Sequence, residues 1–311
     1  MNQGWGPAGP ATMMTPDASD PRASEGLRQA FTSHSRHWQQ FDYVYPVISR
    51  RSQGLSIGVN LNPDTVCNFD CVYCCVDRTR PPARRDVDLK QVEAELEQMI
   101  RFAVDGQLWQ EAPFDDVPPA YRTIRDIAFS GDGEPTAFSG FEAACHIAIE
   151  ARQRHGLNDA GIVVITNATL LHQPHVERAL QLLDEHGGDV WGKLDAGTEA
   201  YYQRIDRSSV PFQRILDNLL MCGRRRPLTI QVMLAALHGE PIDDAEFEAL
   251  TERIVELKRG GAQVHTVQLY TVARQPAESH VSPLSNEEMD RRGQQMAERL
   301  PQVSVQVFQG V

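Results

Sequence analysis

The stretch "GIVVITN" occupies residues 161–167 and decides the fold class. It is a short, continuous apolar run, without the alternation of apolar and polar residues that marks a strand with one solvated face. Such a run is typical of a strand buried on both faces, as strands are in a parallel sheet covered by helices. The stretch therefore predicts an α/β protein.

Helices are predicted on both sides of this strand. "FEAACHIAIEARQRHG" (141–156) precedes it and stops at Gly156, and a helix begins after it at Pro174. The alternation continues along the chain. Further strands are predicted over residues 55–61, 123–130, 189–195, 228–237, 264–272 and 303–308, and further helices over 89–104, 211–225, 244–261 and 285–300.

Six strand–helix units and one extra strand predict a parallel sheet with helices outside. Six units are fewer than the eight of a closed barrel. We therefore predict a partial (β/α)6 TIM-like barrel, and a doubly wound sheet also fits the pattern. In both folds the site lies at the carboxyl ends of the strands.

Three helix starts carry capping signals. Asp88 is predicted to cap the helix over 89–104, and Asp244 the helix over 244–261. Ser285 and Glu288 have the spacing of a capping box at the start of the helix over 285–300.

The first 38 residues differ in composition from the rest. Residues 1–38 are rich in Gly, Pro, Ala, Ser and Asp, and we predict a flexible N-terminal tail with a short helix around Glu25–Phe31. Residues 39–311 are predicted to form the barrel domain. "FDYVYPVISRR" (41–51) fits either a leading strand or a cover over one barrel end.

Composition narrows the class of protein. The chain has 311 residues, six cysteines and a formal net charge of −12. Six cysteines in this length do not make a disulfide scaffold, and no stretch resembles a signal peptide or a membrane span. We expect a cytoplasmic protein with reduced thiols. The acidic balance argues against a nucleic-acid binder that uses its whole surface.

Unusual polar stretches follow all six strands at their carboxyl ends. They are "NPDTVCNFDCVYCC", "SGDGEPT", "TNATLL", "KLDAGTE", "LHGEP" and "YTVARQPAE". The carboxyl ends of parallel strands meet at one edge of a sheet, so these loops predict a single large site.

The first of these loops concentrates thiols. Cys67, Cys71 and Cys74 are spaced C-x3-C-x2-C, and three thiolates on one loop can face a common soft metal. A structural zinc site needs a fourth ligand. Cys75 is expected to point away, and Cys145 and Cys222 lie isolated in predicted helices. The pattern fits a [4Fe–4S] cluster with one open iron, and zinc or metal-free thiols are the alternatives.

The motifs resemble those of a known superfamily. C-x3-C-x-aromatic-C, with Tyr73 as the aromatic residue, resembles the signature loop of the radical S-adenosylmethionine (SAM) superfamily. "SGDGEPT" resembles its GGEP element. "TNATLL", "KLDAGTE" and "YTVARQPAE" look like motifs of the wyosine-synthase-like branch, and the resemblance covers about residues 55–280.

The resemblance implies two cofactors, a [4Fe–4S] cluster bound by the three cysteines and SAM bound to its open iron. The reduced cluster of such enzymes breaks SAM into methionine and a 5′-deoxyadenosyl radical, which abstracts hydrogen from a substrate. An electron donor such as flavodoxin or ferredoxin is implied as a partner.

The resemblance also implies the residues that contact SAM. Tyr73 is placed against the adenine, and Glu134 near the ammonium group. The remaining positions are Gly131, Gly133 and Pro135 in the turn, Asp132 as a carboxylate added to the usual motif, Thr166 and Asn167 near the carboxylate or ribose, Lys193 and Asp195 on one strand face, Gln231, and Tyr270 and Thr271 near the adenine pocket.

The substrate stays open at this stage. The wyosine-synthase-like motifs imply tRNA modification, which a net charge of −12 does not favour. A small molecule, or another protein as for activases of glycyl-radical enzymes, is the alternative substrate. A non-catalytic metal-binding or regulatory protein is the alternative of another class, and the intact cysteine motif argues against it.

Overall fold

The computed structural model of the chain describes residues 21–33, 38–78, 81–82 and 84–310. The strands β1 to β9 are Val44–Ser49, Gly54–Val59, Ile124–Phe129, Gly161–Thr166, Gly188–Lys193, Leu228–Leu237, Val264–Thr271, Val281–Pro283 and Ser304–Phe308. The helices α1 to α8 are Pro21–Thr32, Leu89–Val104, Phe141–Arg154, Pro174–Glu185, Glu199–Ile205, Phe212–Arg225, Asp244–Arg259 and Asn286–Arg299.

These elements include all six predicted strand–helix units and the extra strand, which is β9. The sequence does not predict α5 and β8, which are seven and three residues long. Elements this short carry too little hydrophobic periodicity to be recognised.

The strands form one sheet in the order β1-β2-β3-β4-β5-β6-β7-β9, and β8 pairs with β6. Neighbouring strands from β2 to β9 are parallel, whereas β1 is antiparallel to β2. Strand order follows chain order throughout, so the sheet lacks the reversal that defines a doubly wound fold. It curls into a mostly parallel half-barrel. The predicted partial TIM-like barrel is confirmed, and the doubly wound alternative is wrong.

The two faces of the sheet differ in chemistry. Alternate residues such as Ile127, Val164 and Ile230 belong to the large core beneath the helices. The concave face carries a separate cluster of Ala128, Val163 and Trp191. β4 thus contributes Val164 to one face and Val163 to the other, which confirms that "GIVVITN" is buried on both sides.

Local signals place most helix starts. Asp88 caps α2, accepting a hydrogen bond from the Lys90 N–H at 2.9 Å, and Ser285 caps α8. The predicted cap of α7 is wrong by one residue. Asp243 accepts from the Glu246 N–H at 2.8 Å, because Asp244 is already the first helical residue.

The capping box at α8 is only half formed. Ser285 accepts a hydrogen bond from the Glu288 N–H at 3.2 Å, as predicted. The Glu288 carboxylate instead binds Arg291 and Arg292, each at 2.7 Å. These charged donors outcompete the backbone N–H that would complete the box.

Part of the predicted tail is folded. Residues 21–32 form α1, in which Leu27 and Ala30 are buried in the main core. Burial of these two side chains corrects the prediction of a flexible tail for this segment, while the predicted helix around Glu25–Phe31 is present. Residues 1–20 and 34–37 of the predicted tail lie outside the described residues.

"FDYVYPVISRR" forms the leading strand β1 at one edge of the sheet. The other edge is β9, and Arg50 connects the two sides. Arg50 lies in the β1–β2 turn and donates to the Thr271 carbonyl at 3.2 Å and to the Gln309 carbonyl. The β1–β2 turn, at one edge of the sheet, therefore contacts the ends of β7 and β9 at the other edge.

None of the helices in the described ranges is both long and apolar enough to cross a membrane.

Candidate active site at the carboxyl ends of the strands

The cysteine loop, residues 66–75, follows β2 and is fixed by backbone hydrogen bonds. The Asp70 N–H donates to the Asp206 carbonyl and the Val72 N–H to the Ile205 carbonyl, both at 3.0 Å. These acceptors lie at the carboxyl end of α5. Helix α5, which the sequence did not predict, therefore holds the loop in place through these two backbone hydrogen bonds.

Asn68 connects this loop to two other segments. Its carbonyl accepts from Ser208 Oγ at 2.8 Å, and its side chain accepts from Asn167 Nδ2 at 2.5 Å. Asn68 Nδ2 in turn donates to Thr169 Oγ1 at 2.6 Å, and Thr169 Oγ1 donates to Asn167 Oδ1 at 2.7 Å. Both amides, the partly buried one of Asn68 and the buried one of Asn167, have hydrogen-bond partners, so the network favours one loop conformation.

The three motif thiols are partly buried, and two of them, Cys67 and Cys74, accept from nearby donors. The Phe69 N–H points to Cys67 Sγ at 3.5 Å, and Arg78 donates to Cys74 Sγ at 3.2 Å. Burial raises the pKa of Cys67, and raises the pKa of Cys71 well above its usual value. A bound metal must displace these protons, so metal binding would release protons from the loop.

The other cysteines are separate from this group. Cys75 is exposed, and Cys145 and Cys222 are buried in α3 and α6. The last two are core residues. Within the described ranges, no three thiol, imidazole or carboxylate groups converge closely enough to hold one metal ion.

Arg78 ties the cysteine loop to the glycine-rich loop. Besides Cys74, its guanidinium donates to the Thr65 carbonyl at 3.1 Å and to the Asp132 carbonyl at 3.3 Å. One planar side chain therefore contacts both loops and one of the motif sulfurs.

The glycines of "SGDGEPT" are required by close packing within the protein. A Cβ on Gly131 would lie 2.3 Å from Asn60 Oδ1, and one on Gly133 would lie 2.1 Å from the Val66 carbonyl oxygen. Asp132 accepts from Asn60 Nδ2 at 2.7 Å. The loop thus lies directly against the residues around the start of the cysteine loop.

Glu134 joins the ends of β3 and β4. Its buried carboxylate accepts from Thr166 Oγ1 and from the Asn167 N–H, each at 2.7 Å, and from the Thr136 N–H and hydroxyl. Pro135 begins a short 3-10 helix at this point. Burial raises the pKa of Glu134. Oε2 receives one donor and keeps a second acceptor position, and the predicted contact with SAM ammonium stays a prediction.

Lys193 and Asp195 form a buried charged cluster behind the cysteine loop. Lys193 Nζ lies 2.5 Å from Asp195 Oδ2 and also pairs with Asp206. The Tyr73 hydroxyl donates to Asp195 Oδ2, and the Met233 N–H donates to Asp195 Oδ1 at 2.8 Å. The structure brings Tyr73, Lys193 and Asp195 together, their polar groups bind one another, and their predicted contacts with SAM stay predictions.

The charges in this cluster are mutually dependent. Burial opposes the charge on Lys193, but Asp195 and Asp206 outweigh it and raise the pKa of Lys193 well above its usual value. Burial raises the pKa of Asp206 to about 6 against the pull of Lys193. Each charge in the cluster is therefore held by a neighbour of opposite sign.

Gln231 and Tyr270 lie on the concave face. Gln231 is buried and donates from Nε2 to Gln268 Oε1 at 2.9 Å. The Tyr270 ring lies 5.0 Å from the guanidinium carbon of Arg51, and burial raises the pKa of Tyr270 to about 12.

The structure does not bring Thr271 to the same face, because successive strand residues point to opposite sides. Its buried hydroxyl donates to the Leu234 carbonyl at 2.7 Å and accepts from the Leu284 N–H at 2.9 Å. Both hydrogen bonds are to backbone groups, so the Thr271 hydroxyl stabilises the fold in this structure.

Sequence reasoning missed the groups that hold the loops together: Asn68, Arg78, Asp206 and Ser208. Asn68 and Arg78 lie inside and just beyond the cysteine motif, so their proximity to it was an available signal. Asp206 and Ser208 follow α5, and no pattern in the sequence marks them.

The fold and the site together define an α/β half-barrel protein with a three-thiol loop at the carboxyl ends of its strands. Residues 61–251, more than half of the chain, match the family model of the Radical SAM superfamily. The chain belongs to that superfamily, which confirms the predicted family and the radical SAM class of enzyme.

Curated relatives share part of this chain. A UPF0026 protein of Helicobacter pylori is 27% identical over 56% of this chain and 49% of its own length. A UPF0026 protein of Methanocaldococcus jannaschii is 28% identical over 56% of this chain and 47% of its own. A GTPase Obg of Brachyspira hyodysenteriae is 24% identical over 79% of this chain and 32% of its own. The chain spans about half or less of these relatives.

Solved structures are similar in fold. SuiB of Streptococcus suis bound to S-adenosylmethionine has a TM-score of 0.55 at 12% identity, covering 84% of this chain and 52% of SuiB. TYW1 with a lysine-pyruvate adduct bound has a TM-score of 0.48 at 16% identity, covering 88% of this chain and 80% of TYW1. The similarity to SuiB supports the half-barrel fold and nothing finer.

Proposed function

We propose that Cys67, Cys71 and Cys74 hold a [4Fe–4S] cluster, with which the chain cleaves SAM reductively and abstracts hydrogen from a substrate. The observation that carries the proposal is the cysteine loop itself. Three partly buried thiols lie on one loop, fixed by hydrogen bonds to Ile205 and Asp206, in a chain of the Radical SAM superfamily.

The donor set fits such a cluster. Thiolates are the usual ligands of iron–sulfur clusters, and N–H groups commonly donate to the ligand sulfurs. The Phe69 N–H and the Arg78 guanidinium already point to Cys67 and Cys74. When bound, the cluster supplies the electron that breaks a carbon–sulfur bond of SAM and yields a 5′-deoxyadenosyl radical.

The chain's own residues position these groups. Asn68, Asn167 and Thr169 fix one side of the cysteine loop, and Asp206 fixes the other. Glu134 Oε2 offers an acceptor for the SAM ammonium group, and Tyr73 lies on the concave side next to Lys193. The exposed side chains of Val66 and Cys75 leave one flank of the loop open to an electron donor such as flavodoxin or ferredoxin.

Adjacent cysteines provide a matched test. Anaerobic reconstitution of the wild type is expected to give about four irons per chain and a broad visible absorbance. Cys74→Ala removes a proposed ligand and is expected to lose the cluster, whereas Cys75→Ala removes an exposed thiol one residue away and is expected to keep it.

Activity is measured on the same three proteins. Reduced wild type with SAM is expected to release 5′-deoxyadenosine, as is Cys75→Ala, and Cys74→Ala is expected to release none. Stoichiometric zinc without iron, or no 5′-deoxyadenosine from wild type with any reductant, would contradict the proposal.

The substrate class is tested separately. A net charge of −12 favours a small molecule or a protein over tRNA. We expect no retention of bulk tRNA by the reconstituted protein at low salt. Retention that weakens as salt rises would instead support the tRNA-modifying branch.

A further inference from the structure

The guanidinium of Arg51 lies against two aromatic rings on the concave face of the sheet. Arg51 lies in the β1–β2 turn and is partly buried. Its guanidinium carbon lies 5.5 Å from the centre of the Trp191 ring and 5.0 Å from the centre of the Tyr270 ring. Trp191 belongs to the small apolar cluster of that face, so Arg51 reaches into the half-barrel between β5 and β7.

Among the residues that the structure describes, no acceptor binds the guanidinium of Arg51. It lies over the two rings and makes neither a hydrogen bond nor an ion pair there. A guanidinium carries five N–H donors around its edge. Cation–π contacts use its face, so the edge remains able to bind an acceptor.

Neighbouring charges add to this cation. Arg50 is the next residue in the same turn, and burial together with the charges of Arg51 and Arg274 lowers the pKa of Arg50 to about 10. The nearby carboxylate of Asp126 accepts from the Ser56 hydroxyl and does not form an ion pair with Arg51. The adjacent cations Arg50 and Arg51 thus make the β1–β2 turn a positive region in a chain whose net charge is −12.

This positive region lies next to the proposed SAM site. The Tyr270 ring lies 5.0 Å from the Arg51 guanidinium carbon, and Tyr270 is the strand partner of Met233, whose N–H donates to Asp195 Oδ1 at 2.8 Å. Tyr270 thus contacts Arg51 and is paired with a residue that binds the charged cluster behind the cysteine loop. A substrate group bound at Arg51 would share the concave face with the reacting centre.

We propose that Arg51 anchors an oxyanion of the substrate, a carboxylate or a phosphate, on the concave face between Trp191 and Tyr270. The inference rests on the proposed function, which makes this face the substrate side. A planar guanidinium binds either anion through two parallel hydrogen bonds, which fixes the orientation of the bound group as well as its position.

Calorimetric titration of the reconstituted protein tests this assignment. Sodium succinate serves as the carboxylate probe and inorganic phosphate as the phosphate probe, each titrated alone in a buffer free of other oxyanions. Saturable binding of at least one probe is expected, and the probe that binds identifies the class of anion. Arg51→Gln is expected to weaken that binding by about tenfold or more, because a charge-assisted hydrogen-bond pair is lost.

Two further variants sharpen the result. Arg51→Lys keeps the charge without the planar fork and is expected to fall between wild type and Arg51→Gln. Arg101→Gln, which removes an exposed arginine on α2, is expected to bind as wild type does. If Arg51→Gln does not fold, Arg51→Lys decides, with weaker binding supporting the anchor and unchanged binding overturning it.

The inference is overturned if wild type binds neither probe saturably, or if Arg51→Gln binds as tightly as wild type. Its failure is distinguishable from failure of the proposed function. If wild type releases 5′-deoxyadenosine but binds neither anion, only the inference about Arg51 is contradicted. If wild type binds an anion through Arg51 but never cleaves SAM, only the proposed function is contradicted.

Discussion

Lys193 is ion-paired with Asp206, whose own carbonyl accepts a hydrogen bond from the Asp70 N–H at 3.0 Å. The lysine at the end of β5 thus reaches the cysteine loop through one intermediate residue. Both side chains of the pair are nearly inaccessible to solvent, at 13% and 2% exposure. The pair therefore helps to position the loop that carries the proposed cluster ligands.

Removing the cation from this pair is expected to destabilise the protein. Lys193→Met leaves Asp195 and Asp206 buried near each other without a counter-charge, which costs about 3–5 kcal/mol for a buried pair. Urea unfolding of the metal-free protein measures the change in free energy of unfolding. Lys90→Met, at an exposed position of α2, is the matched control and is expected to change little. Equal stability of the two variants would contradict a positioning role for Lys193.

The glycine-rich loop offers a second test. Gly133→Ala would place a methyl group 2.1 Å from the Val66 carbonyl oxygen, and backbone cannot move aside without shifting the cysteine loop. Overpacking of this kind costs about 1–3 kcal/mol. We expect lower stability and less iron bound after reconstitution, measured by unfolding and by metal analysis.

Gly161→Ala is the control for this change. A Cβ at Gly161 would meet its nearest neighbours at 3.9 Å, an ordinary contact distance. Iron content is expected to equal that of wild type, with stability unchanged or slightly raised because alanine reduces the freedom of the unfolded chain. Full iron loading by Gly133→Ala would show that the close contact does not govern the loop.

Local signals account for what the sequence predicted well. The helix over 89–104 and its cap Asp88 were predictable because apolar spacing and the capping residue lie within one segment. The cysteine spacing is likewise contained in a single loop. The strand order followed from the repeated units, since neighbouring parallel strands are joined by their own helices.

Long-range pairing accounts for what the sequence did not predict. Besides the local donors of Thr136, Glu134 accepts from Thr166 and Asn167, more than thirty residues later. Lys193 and Asp195 form an ion pair, although β5 ends at Lys193 and Asp195 lies beyond the strand, and no spacing rule indicates that Asp206 would also neutralise Lys193. Hydrogen-bond and ion-pair partners that meet only in the tertiary structure leave no local pattern in the sequence.

For Thr271, the role that the family resemblance implies differs from the contacts that the structure shows. The motif places it near the adenine of SAM, whereas its hydroxyl connects the Leu234 carbonyl to the Leu284 N–H. Thr271→Val is expected to lower the free energy of unfolding by about 1–3 kcal/mol, because two buried backbone groups lose their partner. SAM affinity is expected to stay as in wild type.

Unfolding and SAM titration on the same protein separate these two roles. Thr123→Val, at an exposed position before β3, serves as the control for the loss of a hydroxyl. Weakened SAM binding by Thr271→Val with unchanged stability would favour the motif-based role over the structural one.

Arg78 connects the protein scaffold to the electronic properties of the proposed cluster. Its guanidinium donates to Cys74 Sγ at 3.2 Å, and donors to ligand sulfurs stabilise the reduced, more negative state of a cluster. Arg78→Met is expected to make the reduction potential more negative. A charge-assisted hydrogen bond of about 1.5 kcal/mol corresponds to about 60 mV for one electron.

The measurement is a potentiometric titration of the reconstituted protein followed by electron paramagnetic resonance. Arg85→Met removes an exposed arginine from the same stretch of chain, and its potential is expected to equal that of wild type. Arg78 also holds the Thr65 and Asp132 carbonyls, so iron content must be matched before potentials are compared. An unchanged or more positive potential in fully loaded Arg78→Met would show that this contact does not tune the cluster.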